Sequence, residues 1–369
     1  MAIYMDLHQV PGVDAKAVAE AHRMDVLLEH EHACKCLTYW VDELRGCVFC
    51  LIDAPDKESV IELHTRAHGL VPNQIIEVEP ALVQAFLGRI TDPDNAAVTD
   101  SGLKIFDDAA YRILLQIQTE DIVLLQRDRN PQEAAAQLRS VRTMVRNEVA
   151  LQQGREVSGE ADLLLASFVD ADKAWSAASG IINQMASFPP MPLRISLHAG
   201  APVAQSDQLF GDTLNLLKRL NAFERKETLL LTSGIRTLLG VDSAALSGSE
   251  DLKICSPKEE QFVTALFDIL EKEFSEEQFS MDACSRSIAM STSQLYRKTV
   301  QLFGQSPNNL LRNYRLLRAK EMLRSADKNI TQVSFDTGFS SASYFTKCFK
   351  ARYGMLPLTY QEEWHRNTD

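Results

Sequence analysis

Three different periodicities run along the chain. In residues 2–8 hydrophobic and polar positions alternate, with Ile3, Met5 and Leu7 on one face and Tyr4, Asp6 and His8 on the other, which predicts a half-buried strand. Pro11-Gly12 breaks it, and Asp14 then caps a helical repeat that turns Val18, Ala21, Met24 and Leu28 inward. Strands at 34–41 and 46–52 flank a polar turn. A second helix begins after Pro55-Asp56, buries Val60, Leu63 and Ala67 and stops at Gly69, and a last strand spans 74–79.

The resulting βαββαβ order predicts a ferredoxin-like domain over residues 1–80. Residues 91–102, rich in Asp, Asn, Ala and Thr and without period, read as a linker. Strands at 111–115, 163–168, 193–198 and 228–232 then alternate with helices at 131–153, 171–185 and 211–223. A final helix starts at Ser233, which makes residues 104–240 an α/β domain. A Ser-, Gly- and Asp-rich stretch at 241–257 leads to a helix at 258–274, whose Phe262, Leu266, Phe267 and Leu270 should dock onto the C-terminal region.

From residue 281 to the C-terminus the pattern is helical throughout. A supporting helix at 281–288 and a reading helix capped by Ser291 form one helix-turn-helix unit; helices at 330–337 and 341–352, with Gly338 at the turn, form another. Between them, residues 308–324 make a spacer roughly 25 Å long at about 1.5 Å per residue. That length suits two reading helices set about one DNA turn apart. The expected fold class is therefore multidomain, α+β followed by an all-α tandem helix-turn-helix domain over 258–365.

Charge sharpens this division. The whole chain carries a formal net charge of −12, yet residues 281–369 hold 13 Lys+Arg against 7 Asp+Glu, and the preceding 280 hold 25 against 43. A basic end on an acidic body is the electrostatic footprint of a DNA-binding module. Base readers belong near the starts of the reading helices: Ser293, Tyr296 and Arg297 in the first, Ser343, Thr346 and Lys347 in the second. Ser291, Thr292, Lys298, Ser341 and Lys350 suit phosphates, which position without reading sequence. Leu295, Phe339, Phe345 and Phe349 are expected to be core.

The run from Gly338 to Lys350 (GFSSASYFTKCFK), with Tyr353-Gly354 and Pro357, resembles the second half of the AraC/XylS family of transcription regulators. Ser291-x-x-x-Leu295-x-Arg297, Gly304-x-Ser306-Pro307 and Arg315-x-x-x-Ala319-x-x-x-Leu323 resemble the first half and the linker helix. The resemblance implies a regulator with double-stranded DNA and RNA polymerase as partners.

Two further resemblances cover the rest. Tyr4-Met5-Asp6-x-His8-x-x-Pro11-Gly12, Tyr39-Trp40-Val41-Asp42, Phe49-Cys50-Leu51 and His64-x-x-x-His68-Gly69-Leu70 resemble a small ferredoxin-like family, some of whose members bind nickel. Asp6 and His8 share a strand face, His64 and His68 sit one helical turn apart, and Cys50 adds a soft donor, so a divalent metal, nickel or zinc, is the candidate cofactor. The same histidine spacing also suits the polar border of a structural helix, and Cys47 and Cys50 point to opposite faces of a strand.

Asp162 to Phe168, Leu193-x-Ile195-x-Leu197-His198-x-Gly200 and Phe210-Gly211-Asp212-Thr213-Leu214-Asn215-Leu216-x-x-Arg219-Leu220 resemble a class III nucleotide cyclase domain. Asp162, Asn215 and Arg219 match its nucleotide site, as a vestige. The strand at 113–118 carries no carboxylate to match the first metal aspartate, so catalysis is expected to be lost and head-to-tail pairing retained.

The favoured reading is a transcription regulator without enzymatic activity. A cyclase fused to a DNA reader and a metal-binding protein are the alternatives. Seven cysteines without a signal segment or an eighteen-residue apolar run predict a cytoplasmic protein with no membrane partner, whose cysteines are free thiols, metal ligands or redox-sensitive groups.

Overall fold

The computed structural model describes every residue except 1, 95, 100–102, 128, 160–161, 224–227, 241–250, 326 and 369. Strand β1 (Ala2–Gln9) lies inside an antiparallel sheet with β2 (Lys35–Asp42), β3 (Cys47–Ala54) and β4 (Gln74–Glu77), in the order β2-β3-β1-β4. Helices α1 (Ala15–Leu28) and α2 (Lys57–Ala67) start at Asp14 and Asp56, whose carboxylates accept from Ala17 N and Ser59 N.

β1 is not half-buried. Tyr4 to His8 are all buried, because α1 and α2 roof the polar face while the Met5 and Leu7 face packs on the next domain. α1 is also rotated from the expected stripe: Ala15, Val18, Ala19 and Asp25 point inward, and Met24 is exposed.

An unexpected helix, α3 (Pro80–Leu87), joins the two domains. Its Val83, Phe86 and Leu87 share a core with Met5, Trp40 and Phe49 of the first sheet and with Leu114, Leu165 and Phe210 beyond. The buried Arg112 caps its C-terminal end, donating to Phe86 O at 3.3 Å and Leu87 O at 3.2 Å, where a cation meets the negative end of the helix. The expected linker at 91–102 contains β5 (Ala97–Val98), paired with β6 (Lys104–Ile105); residues 95 and 100–102 of it lie outside the described residues. Leu103 and Phe106 bury in the first domain, with Phe106 stacked on Tyr39, so the segment belongs to that core.

The second sheet runs β12-β11-β10-β7-β9-β8. It comprises β7 (Arg112–Thr119), β8 (Arg155–Gly159), β9 (Leu163–Phe168), β10 (Leu193–Gly200), β11 (Leu229–Leu231) and β12 (Leu252–Ile254), parallel only across β10, β11 and β12. Strand β12 lies in the second expected linker, whose residues 241–250 are outside the described residues. The short α4 (Ile122–Gln126) and β8 were not expected either. Helices α5 (Pro131–Leu151) and α6 (Ala171–Met185) pack on one face of this sheet; α7 (Gly211–Asn221) and α8 (Ser233–Leu238) complete the domain.

Helix α9 (Pro257–Glu273) begins in a full capping box between Ser256 and Glu259. Its Phe262, Val263, Leu266, Phe267 and Leu270 touch the middle domain through Leu216, Leu220 and Phe223 and the C-terminal domain through Leu295, Leu310 and Tyr314. Six helices come after it: α10 (Met281–Ser287), α11 (Thr292–Phe303), α12 (Pro307–Leu323), α13 (Ile330–Asp336), α14 (Ala342–Tyr353) and α15 (Pro357–Thr368). The last was not expected; its Tyr360 and Trp364 bury against Phe349, Leu323 and Val123. Among the described residues, no helix is long and apolar enough to cross a membrane.

Candidate functional site

Two helix pairs stand at the C-terminal end. In the first, α10 leads through Ala289, at φ 52°, into α11, where Ser291 accepts from Gln294 N and the Gln294 side chain returns the bond. In the second, α13 leads through Gly338, at φ 75°, into α14, where Ser341 accepts from Tyr344 N. The apolar stripes Leu295, Thr299 and Phe303, and Phe345, Phe349 and Tyr353, are buried. The opposite faces carry Ser291, Thr292, Ser293, Tyr296 and Arg297, and Ser343, Lys347 and Lys350, all exposed.

Three expected contact residues are turned partly inward. Lys298 Nζ lies 4.7 Å from the Phe262 ring centroid, Thr346 Oγ1 donates to Ala342 O at 2.8 Å, and the half-buried Ser341 spends its hydroxyl on the cap. The other eight candidates are exposed on the two reading helices.

A charged cluster joins the second pair to the middle domain. Asp121 caps α4 and has a fully buried carboxylate; its Oδ2 accepts from Lys320 Nζ at 2.9 Å, Tyr360 Oη at 3.0 Å and Arg324 Nη2 at 3.3 Å. Arg324 Nη2 also reaches Asp162 Oδ2 at 2.8 Å. Burial alone would raise the Asp121 carboxyl, but Lys320, the Leu124 N–H and Arg324 together hold it below the usual carboxylate range.

Strand β7 carries no carboxylate over 113–118, as expected; Asp121 lies two residues past its end, and it and Asp162 share Arg324, the C-cap of α12. Arg219 is likewise engaged: it donates to Glu271 at 3.0 and 2.6 Å and pairs with Asp268 at 2.8 Å, while Asn215 is exposed. Asp162 and Arg219 thus each bind the C-terminal half of the chain, on different partners. Asp121 N-caps α4, and an aspartate just before an apolar run was the available signal for it.

The third cluster lies between β1, β3, α1 and α2. Donor atoms of Asp6, His8, Cys50 and His64 lie within 4.8 Å of one another, as do those of Asp25, His64 and His68. All five sequence candidates meet here, and Asp25 joins them. Its signal was an acid seven residues after Val18, hence on the same inward stripe of α1. His64 bridges two carboxylates, Nε2 to Asp6 at 2.8 Å and Nδ1 to Asp25 at 3.1 Å. Because carboxylates only accept, both nitrogens donate and the ring is an imidazolium.

Burial pulls the His64 imidazole down, but Asp6 and Asp25 outweigh it and push it up to about 10. Asp6 is drawn the opposite way: burial raises it, while His64 and His8 hold it well below the carboxylate range. Burial keeps the Cys50 thiol protonated far above its ordinary value. His8 is buried with no hydrogen bond from either ring nitrogen; Nε2 lies 3.3 Å from Asp6 Oδ1, close but without hydrogen-bond geometry. A buried imidazole lone pair without a donor is costly unless something occupies it.

Residues 284–363 match the model of a helix-turn-helix domain, and residues 4–78 match that of a nickel responsive protein, SCO4226-like. Histidine kinase P4 of Formosa agariphila is 33% identical over 106 residues, 29% of this chain and 8% of that protein. The HTH-type transcriptional activator RhaS of Mannheimia succiniciproducens is 32% identical over 88 residues, 24% of this chain and 32% of that one. The chain thus spans a third or less of the length of these relatives. Among solved structures, SCO4226 of Streptomyces coelicolor is 31% identical, covering 21% of this chain and 95% of that one, with a TM-score of 0.20. The DNA-binding domain of AdpA in complex with a target DNA is 24% identical, covering 28% and 92%, with a TM-score of 0.27. The C-terminal part is a helix-turn-helix domain of the AraC type, and the N-terminal part is of the SCO4226-like type.

Proposed function

We propose that this chain is a sequence-specific, DNA-binding transcription regulator of the AraC type, acting in the cytoplasm as a dimer and responding to a divalent metal ion through its first domain. The observation that carries the reading is the pair of capped reading helices whose polar, cationic faces are exposed while their apolar faces are buried. Arg297 on α11 can fork onto a guanine, worth roughly 1–3 kcal/mol of base discrimination, and Lys347 and Lys350 supply charge on α14. In this reading the first domain is ferredoxin-like and the middle domain is a cyclase-like fold retained for pairing two chains. Asp162 and Arg219 now hold the DNA-reading domain instead of a nucleotide.

The residues present fit a divalent ion. Asp6, His8 and His64 in one group, and Asp25, His64 and His68 in the adjoining one, offer carboxylate and imidazole donors of the kind nickel and zinc take, and the unpartnered His8 ring gives a lone pair to spend. Cys50 would have to lose its proton to join. Without metal, the His64 proton is the counter-charge of Asp6 and Asp25, so metal and proton compete for the same nitrogen. Nickel affinity should therefore rise about tenfold per pH unit from neutrality towards pH 10, and a pH-independent affinity in calorimetry would remove His64 from the ligand set.

Selection of bound sequences from random duplex DNA, at two salt concentrations and with and without nickel, tests the main reading. Enrichment of a motif of two blocks about ten base pairs apart is expected. Retention without a motif, lost steeply with salt, would mean phosphate contacts alone. Arg297→Ala should weaken the selected site far more than random duplex.

A further inference from the structure

The two faces of the middle sheet are used differently. One meets the first domain through Leu114 and Leu165, and α7 on that side meets α9 through Leu216 and Leu220. The other carries α5 and α6, and the core beneath them is built from middle-domain residues alone. Their outer surface holds a groove of about 710 Å³, lined by Arg139, Thr143, Glu148 and Leu151 of α5, by Gln184 of α6 and by Phe188 just past it.

That groove holds an acid and a base that do not meet each other. Glu148 is only 8% exposed; its carboxylate lies against Gly180, where a Cβ would collide with it, and accepts from Gln184 Nε2 at 2.7 Å. Among the described residues no cation pairs with it. A buried carboxylate without a counter-charge is costly. Arg139 is exposed on the same helix, and among the described residues no carboxylate engages its guanidinium. Leu151, near the end of the groove, is 71% exposed.

These residues complement one another across a two-fold axis. The Thr143-Met144 step lies midway between Arg139 and Glu148, so a second α5 turned antiparallel about that step sets Arg139 of each copy opposite Glu148 of the other. The same rotation sets Ser140 opposite Asn147 and Ala136 opposite Leu151, a hydroxyl on an amide and a small apolar residue under a large one. Such reciprocity is the condition of an isologous dimer. A segment of another protein carrying one sign of charge would leave either the acid or the base unmet. At about 1.5 Å per residue the 21 residues of α5 run roughly 30 Å, so a face two helices wide offers roughly 600 Å² a side, the lower end for a specific interface.

We propose that the outer face of α5 and α6 is the surface through which two copies of this chain pair, antiparallel about an axis at Thr143, with each Arg139 forking onto the other copy's Glu148. This assignment rests on the reading of the chain as a dimer and names the face that makes it.

Sedimentation velocity of the full-length chain over a concentration series is the test. Wild type is expected to associate to a dimer. Arg139→Glu sets carboxylate against carboxylate and should weaken association at least tenfold, while thermal unfolding of the monomer stays unchanged. Adding Glu148→Lys exchanges the two charges and should restore the dimer. Thr143→Cys gives a second readout that does not depend on burying a lysine: the introduced thiols lie beside the axis, and copper phenanthroline, with oxygen as oxidant, should join two copies covalently above the wild-type background. A dimer indifferent to Arg139→Glu, a folded double variant that stays monomeric, or a dimer that Thr143→Cys does not cross-link would overturn this face and leave the dimer reading standing. Wild type that stays monomeric at every concentration overturns both.

Discussion

The two helix-turn-helix units are built alike and attached differently. The first, α10 with α11, is held through an apolar seam, in which Leu295 and Phe303 meet Phe262, Phe267 and Leu270 of α9 and, beyond them, Leu216, Leu220 and Phe223 of the middle domain. The second, α13 with α14, packs on α12 and α15, and that assembly meets α4 through Val123 and Leu124 and through the buried charges of Asp121, Asp162, Lys320 and Arg324. An apolar seam is strong over a wide range of pH and salt, since it depends on area removed from water. A buried charge cluster is conditional, since each member is tolerable only while its partners remain charged and in place. One reader is thus anchored and the other is held by contacts that a change of protonation can release.

The largest effect should come from Asp121→Ala, which leaves Lys320 and Arg324 without their shared carboxylate and removes the cap of α4. A loss of about 3–5 kcal/mol is expected in denaturant unfolding, with hydrogen exchange rising first in α14 and α15. The same contact sets an acid limit. Because Asp121 is held below its unfolded value near 4, its contribution is present at neutral pH and is lost as pH falls through the lowered value, so the second unit should undock before the first on acidification. Simultaneous loss of both units in acid would remove the contrast.

Leu266→Ala, in the apolar seam, should cost about 2–5 kcal/mol and show little dependence on salt between 0.1 and 1 M, roughly a Debye length of 10 to 3 Å. A strong salt dependence would mean that the Arg219 pairs with Asp268 and Glu271, rather than the apolar seam, hold the first unit.

The turns give the smallest effects, of opposite sign. Gly338 has φ 75°, and a Cβ there would lie 2.5 Å from Phe274 O, so Gly338→Ala should cost more than the about 1–2 kcal/mol of a left-handed backbone alone. Ala289 holds the matching position at φ 52°, and Ala289→Gly should stabilise by less than about 1 kcal/mol, the relief of that strain offset by chain entropy. Thermal unfolding of the two variants measures both.

Much of the fold was legible in local pattern. Ser291 and Asp14 cap the helices they were expected to cap, and the helices expected to start at Ser341 and after Asp56 prove to be capped by those residues, since a cap depends on residues within one turn. The histidines of α2 and the β1 residues Asp6 and His8 were legible as candidate ligands by spacing, and they do meet. Missed were the helix α3, whose eight residues are too few for a clear period, and β12, a three-residue edge strand that forms only against β11. Met24 on α1 was expected inside and is exposed, because a helix of this length offers two neighbouring stripes and the buried Asp25 marks the one that packs.

Sequence alone determined the segments with a clear local signal: periodicity, caps and charge need only near neighbours in the chain, and so the main strands and helices of the first domain and the two C-terminal helix pairs could be read directly. Tertiary structure decided who meets whom. Asp121 and Arg324 lie some two hundred residues apart, and Asp25 reaches His64 only because α1 and α2 roof the same sheet. A buried charge declares its role only through the partner that neutralises it, and no local pattern names that partner.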